Sequence, residues 1–166
     1  MTEFNKIPEI NKQLGILGQS YLIVGVPTGD DFLQMIARVN ETGMTIKPKN
    51  SEYLAVPNGY GGIYKMKEVT IPPRPFLRYS WDHYHEKWGK TATKLVMCIM
   101  FDDWTAKQAL DELGTVMASD IRDVLKVWKT PSNAPLTIAN KGKDDPLVDT
   151  GKLMNSITFK KVMKGE

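Results

Sequence analysis

One cysteine, Cys98, stands alone among 166 residues. A single thiol closes no internal disulfide and cannot build a multi-cysteine zinc site, so the expected compartment is a reducing one and the fold has to rest on its apolar core. Long apolar runs are also lacking. The longest, Leu95 to Phe101, has seven residues, against ~20 for a membrane-spanning helix. The opening MTEFNKIPEI lacks the charged-then-apolar order of a secretory signal. No internal repeat or low-complexity tract is visible, and neither sign of charge is strongly concentrated. Residues 1–83 hold nine Lys/Arg and eight Asp/Glu, and residues 84–140 hold seven of each. Only 141–166 leans basic, with six Lys (141, 143, 152, 160, 161, 164) against four acids. A sequence-specific nucleic-acid binder usually carries a denser basic stripe. These absences predict a soluble, cytosol-made protein with no membrane partner, and they leave a nucleic-acid-binding reading resting on the C-terminal lysines alone.

What is present suits one globular domain. At 42% hydrophobic and 25% charged residues, a chain of this length buries enough surface to fold without a staple. Residues 9–18 predict a short helix weakened by Gly15 and Gly18. Ser20–Val26 is β-branched and apolar and ends at Pro27-Thr28-Gly29-Asp30, a strand followed by a turn. DDFLQMIARVNETG has acids in its first turn, then Phe32, Met35, Ile36 and Val39 at helical spacing, with Gly43 as the stop. Residues 44–71 read as a β-hairpin or extended arm, with Asn58-Gly59 and Gly61-Gly62 suited to its turn. The prolines of IPPRPFLR (Ile71–Arg78) hold the chain extended. Beyond Pro75, Phe76, Leu77, Trp81, Tyr84 and Trp88 recur at helical intervals. Leu95–Phe101 fits a buried strand or a buried helix segment equally well. From Asp103 to about Trp128 an apolar stripe predicts a long amphipathic helix, with Leu110, Leu113, Met117 and Val124 facing the sheet. Residues 130–146 read as a polar loop, and 147–166 as a short helix capped by Asp149 or Thr150 and a strand at 158–163. The predicted class is α+β: a single domain with a small, mostly antiparallel sheet on a long helix, and a hairpin arm at 47–69.

Four motifs invite a chemical reading. Leu147-Val148-Asp149-Thr150-Gly151 matches the DTG string of aspartic peptidases, whose two aspartates share a proton. This chain has one copy, and Lys152 beside it would hold the carboxyl ionised and oppose proton sharing; Asp-Thr-Gly ahead of an apolar-periodic run reads instead as a helix N-cap. His83 and His85 share a face only on a strand, whereas Trp81, Tyr84 and Trp88 favour a helix, so a solvated or partner-facing pair is expected rather than a metal site. Gly89-Lys90-Thr91 lacks the earlier glycine and the preceding strand of a phosphate-binding loop. Asn58 to Gly62 suits a hairpin tip as well as a phosphate cradle. No Ser or Cys sits in a nucleophile motif. The reading is therefore non-enzymatic, with no catalytic residue, cofactor or metal.

Two segments carry a family resemblance. IPPRPFLR (Ile71–Arg78) resembles the "iPaRPFlr" signature of tailed-phage neck and tail-completion proteins, often described as minor tail components. PLVDTGKLMNSITF (Pro146–Phe159) is similar to that family's C-terminal "PLiDTGrLrnSIty" segment. YLIVGVP followed by MIARVNETG resembles the family's early strand and its "a..nEfGt" stretch. The order matches, with 67 residues between Arg78 and Pro146, and coverage runs from about residue 20 to 162; the arm at 47–69 is the main departure. Virion morphogenesis proteins of Mu-like phages share similar signatures. The resemblance implies a homo-oligomeric, hexameric ring at the head–tail junction of a virion, assembled in the host cytoplasm, with DNA passing through its channel in non-specific contact. Its implied neighbours are head-closure or adaptor proteins and tail-terminator or tail-tube proteins. The closest alternative role is a tail-terminator ring; the distant one is an aspartic-type peptidase. The residues it marks for assembly are Arg74, Pro75, Phe76, Arg78, Asp149, Thr150 and Gly151. Within such a ring the 71–75 segment, the 47–69 hairpin and the 130–146 loop are the expected arms, and Tyr53, Tyr60 and Tyr64 either meet a neighbour or pack on the protein's own core.

Overall fold

The computed structural model describes residues 6–27, 29–58 and 60–163. Along these the order is α1 (Ile7–Gly18), β1 (Tyr21–Gly25), α2 (Asp31–Thr42), β2 (Met44–Ile46), β3 (Leu54–Pro57), β4 (Ile63–Met66), β5 (Val69–Ile71), α3 (Phe76–Phe101), α4 (Ala106–Val127), α5 (Pro135–Lys141), α6 (Lys152–Ser156) and β6 (Thr158–Val162). The class is α+β, as the sequence predicts. The sheet, however, is divided into three separate antiparallel pairs, β1–β6, β2–β5 and β3–β4.

The centre is the α3–α4 hairpin. Phe76, Ser80, Trp88, Leu95 and Ile99 fall on one face of α3, and this single stripe runs on through Leu95–Phe101, so that segment is helix. Asp102 ends α3, Asp103 turns the corner at positive φ, and α4 begins three residues later than its periodicity suggests. Thr105 sets that start with a capping box: its Oγ1 accepts from Gln108 N, and Gln108 Oε1 accepts from Thr105 N at 2.9 Å. Midway along the pair, the buried Asp120 carboxylate accepts from Trp88 Nε1 at 2.8 Å and pairs with Lys87 at 2.7 Å. A buried carboxylate so satisfied ties the two helices together without an orphaned charge.

The β1–β6 ladder lies on α4, with Val24 opposite Phe159 and both packed on the core. Contact is close at Gly114, where an added Cβ would overlap the Phe159 ring. Gly114, which weakens the helix by only ~1 kcal/mol, is thus the residue that admits the sheet. Leu113 faces elsewhere than predicted: it joins Leu95, Ile99 and Ala109 in a small cluster closed by Leu14 and Leu17 of α1. Of the C-terminal lysines, Lys161 pairs with Asp111 of α4 and Lys160 is exposed; Lys164 lies outside the described residues. The loop predicted at 130–146 holds α5, started by Pro135 and closed by Gly142 at φ 71°. On α2, Ala37 and Val39 are buried while Phe32 and Met35 point outward.

Candidate functional site

Three distant segments meet at Arg74. α2 ends at Gly43, whose φ is 71° and whose absent Cβ would sit 2.9 Å from Pro73 N and 3.0 Å from Ile71 O. Glycine alone allows both the left-handed turn and that crossing. The crossing delivers Arg74 inward at only 5% exposure. Its Nε donates to Pro131 O and its Nη2 to Ser132 O, both at 3.0 Å, and Nη1 reaches Asn40 Oδ1 at 3.4 Å. Its closest partners are thus backbone carbonyls of the loop that follows α4. Burial pushes the guanidinium's pKa down and the charge of Asp144 opposes this. Asp144 is held in turn by Asn133 N at 2.9 Å.

Next to Arg74, Pro75 is the N-cap of α3 and has no side-chain oxygen to offer. The cap comes from α2 instead. Glu41 accepts from Leu77 N at 2.9 Å and from Arg78 N at 3.0 Å, placing a negative charge at the positive end of a 26-residue helix. Sequence reasoning gave Asn40 and Glu41 no role. The available signal was a helix start lacking any Ser, Thr, Asp or Asn of its own. Phe76 is fully buried, whereas the Arg78 side chain is exposed and has no ion pair among the described residues.

The second signature joins the same core. Leu147, Leu153 and Ile157 pack with Phe76 and Leu125. The predicted cap is corrected. The N-cap of α6 is Gly151 at φ 77°, with no side-chain cap. Asp149 is exposed, and Thr150 Oγ1 accepts only a long 3.4 Å bond from Lys152 N. The left-handed turn at Gly151 swings Asp149 and Thr150 off the helix axis, and a Cβ at that φ would be strained. Between α2 and this segment lies a cavity of about 320 Å³, lined by Phe32, Leu33, Ile36, Leu147, Leu153 and Asp149 among others. Lys141 lies within electrostatic reach of Asp149, whose charge raises the lysine pKa against the larger lowering by burial.

The remaining motifs have plain placements. His83 and His85 are exposed on α3, and each Nδ1 lies 2.9 Å from the carbonyl four residues back, on Tyr79 and Trp81. Gly89-Lys90-Thr91 is mid-helix. Asn58 closes the arm's tip, its Oδ1 accepting from Tyr60 N and Gly62 N, both at 2.9 Å; Gly59 lies outside the described residues. Among the described residues no group of three or more His, Cys, Asp or Glu could hold a metal ion, and no helix is long and apolar enough to cross a membrane.

The arm at 44–71 is unlike the rest. In β2–β5, Met44 and Ile46 lie opposite Ile71 and Val69; in β3–β4, Leu54 and Val56 lie opposite Met66 and Tyr64. Each ladder therefore has one apolar face, yet Met44, Tyr64 and Met66 are exposed and Tyr60 is 89% exposed. Tyr60 and Tyr64 are not core residues; Tyr53 is half-buried. Comparison with protein-family models, with curated proteins and with solved structures finds no match to this chain.

Proposed function

We propose that this chain is a non-enzymatic structural subunit of a tailed-phage head–tail connector, a neck or tail-completion protein working as a homo-oligomeric ring. Six copies, a place at the head–tail junction of the virion and non-specific contact with DNA in the channel follow from the resemblance of 71–78 and 146–159 to that family. The observation that carries the reading is how the marked residues are used. Arg74 and Phe76 are consumed in building the core, and Leu147 joins them there, so the first signature specifies shape rather than chemistry. Meanwhile the apolar side chains left outside, on the arm, on β1 and at the end of α3, have the character of partner surfaces. A ring subunit needs two complementary sides and arms that reach its neighbours. Its other partners in this reading are head-closure or adaptor proteins and tail-terminator or tail-tube proteins.

Native mass spectrometry and negative-stain electron microscopy of the purified chain, alone and with isolated tails or DNA-filled heads, test the proposal. A closed ring that decorates one end of a tail or the head vertex is expected. A chain that binds neither heads nor tails overturns it, as does acid-optimum peptide cleavage abolished by Asp149→Asn.

A further inference from the structure

The two ends of α3 carry matching features. At its N-terminal end a trough of about 390 Å³ runs between β1 and α2, floored by Ile23, Val24, Ala37 and Leu77 and edged by Arg38. Ile23 is 55% exposed. Glu41 also borders the trough, but its carboxylate already accepts the two backbone N–H groups that start α3. Arg38, and Arg78 one residue beyond Leu77, have no ion pair among the described residues, so the edge is basic. At the other end α3 stops in a knob. Phe101 is 68% exposed, and Met97 and Met100 beside it are also exposed. Asp102 and Asp103 follow; Asp103 is taken by Lys6 at 2.6 Å, whereas Asp102 has no ion pair among the described residues.

We infer that copies of this chain join head to tail, the Phe101–Asp102 knob of one seated in the β1–α2 trough of the next, with Asp102 facing Arg38 and Arg78. The inference rests on the ring-subunit reading above and names the contact that closes the ring. Shape, polarity and charge all match: a convex apolar end with a carboxylate that has no ion pair among the described residues meets a concave apolar floor edged by guanidinium groups that likewise have none. The 26 residues of α3 hold the two about 39 Å apart, at ~1.5 Å per residue, so one chain cannot satisfy itself. Two different patches on one subunit make a heterologous contact, which closes into a ring when its rotation permits. A symmetric pairing of two knobs would set like charges together, and so would a pairing of two troughs.

The test uses the full chain in native mass spectrometry, with circular dichroism to show that each variant folds. Phe101→Asp spoils the knob and Ile23→Asp spoils the trough; both positions are exposed, so the monomer is expected to fold. Each variant alone is expected to lose the ring and run as a monomer. An equimolar mixture should give a two-subunit species and nothing larger, because one intact knob–trough pair remains. Arg38→Asp and Asp102→Arg should each weaken the ring, and the double variant should restore it in part, since Arg78 still faces position 102. Rings that persist in Phe101→Asp overturn the docking while leaving the connector reading intact, as does a mixture that yields no heterodimer. A monomeric wild type also overturns it. Docking that behaves as expected in a chain that binds neither heads nor tails keeps the contact and defeats the connector reading.

Discussion

Lys65 and Arg74 are nine residues apart in the chain, and they belong to two kinds of structure. Around Arg74, the end of α2, the proline segment and the loop after α4 converge, and the guanidinium is shared among partners 34 to 59 positions away in sequence. Around Lys65 the ladder is held by its own cross-strand neighbours, and among the described residues the arm's one side-chain hydrogen bond to a helix is Asn140 Nδ2 donating to Pro57 O at 2.9 Å. An isolated two-stranded ladder is marginal in water. The difference teaches where stability and recognition are divided. The Arg74 junction is over-determined by long-range contacts and belongs to the global folding unit, whereas the arm draws on local pairs and belongs to the low-stability end of the molecule.

The largest test of that division is Phe76→Ala. Phe76 is wholly buried among Leu125, Leu147 and Ile157, so truncation should cost about 3–5 kcal/mol. Chemical denaturation reads it, and a loss near that of a surface substitution would show that the junction is not the centre of the fold. Arg74→Lys comes next. An ammonium keeps the charge but not the planar fork that reaches the Pro131 and Ser132 carbonyls together. One carbonyl loses its partner, at about 1–3 kcal/mol, and wild-type stability in this variant would reduce Arg74 to a mere cation.

The same division governs what the sequence discloses. Local signals are legible: the strand at Ser20–Val26, the α2 stop at Gly43, the hairpin turn at Asn58 and the α4 stripe all follow from short-range chemistry, and so does the α+β class. Features set by distant residues are not. Gly114 reads as a weakness until Phe159 is seen against it. Asp149 reads as a cap until Gly151 turns left-handed and removes it. Glu41 reads as one more surface acid on a helix, because the N-terminus it caps begins 35 positions later. The outward turn of Phe32 and Met35 has the same origin: helical spacing puts Phe32, Met35, Ile36 and Val39 near one stripe, and tertiary packing then covers Ile36 and Val39 and leaves Phe32 and Met35 outside, while Ala37, off that stripe, is buried in the core. The candidate interface is less legible still, since the apolar residues of knob and trough, Phe101 and Ile23 among them, sit in segments that read as buried or as strand.

A smaller effect concerns acid. Lys129 donates to Asp145 at 2.7 Å, and with help from Lys143 this holds the Asp145 carboxyl below the ordinary aspartate range against the opposing effect of burial. A carboxyl depressed by folding contributes stability that is present above its unfolded pKa and is lost as pH falls through the lower folded value. Lys129→Met should therefore remove part of the loss of stability below the normal aspartate pKa, with little change in acid-limb slope near neutrality. Thermal melts of both chains across the acidic range read the difference, and identical profiles would show that the 129–145 tie contributes nothing to holding the loop beside Arg74.

The smallest expected effect is the one that most sharpens the contrast. Tyr60 and Tyr64 are both exposed, Tyr60 at the turn of the tip and Tyr64 opposite Val56. If the arm is outside the global folding unit, Tyr60→Ser with Tyr64→Ser should shift unfolding free energy by no more than about 0.5 kcal/mol, the range of ordinary surface changes. Hydrogen exchange should then show the amides of β3 and β4 opening at low free energy in the isolated chain, while those of α3 and α4 open only with global unfolding. A large loss of stability from the double substitution would mean that the tip packs on the body and that the arm and the junction are one cooperative unit. Protection of the β3 and β4 amides that appears only on assembly would place the arm's stabilising contacts in a neighbouring subunit, because among the described residues the chain offers each of these strands one ladder partner and the arm a single side-chain hydrogen bond to α5.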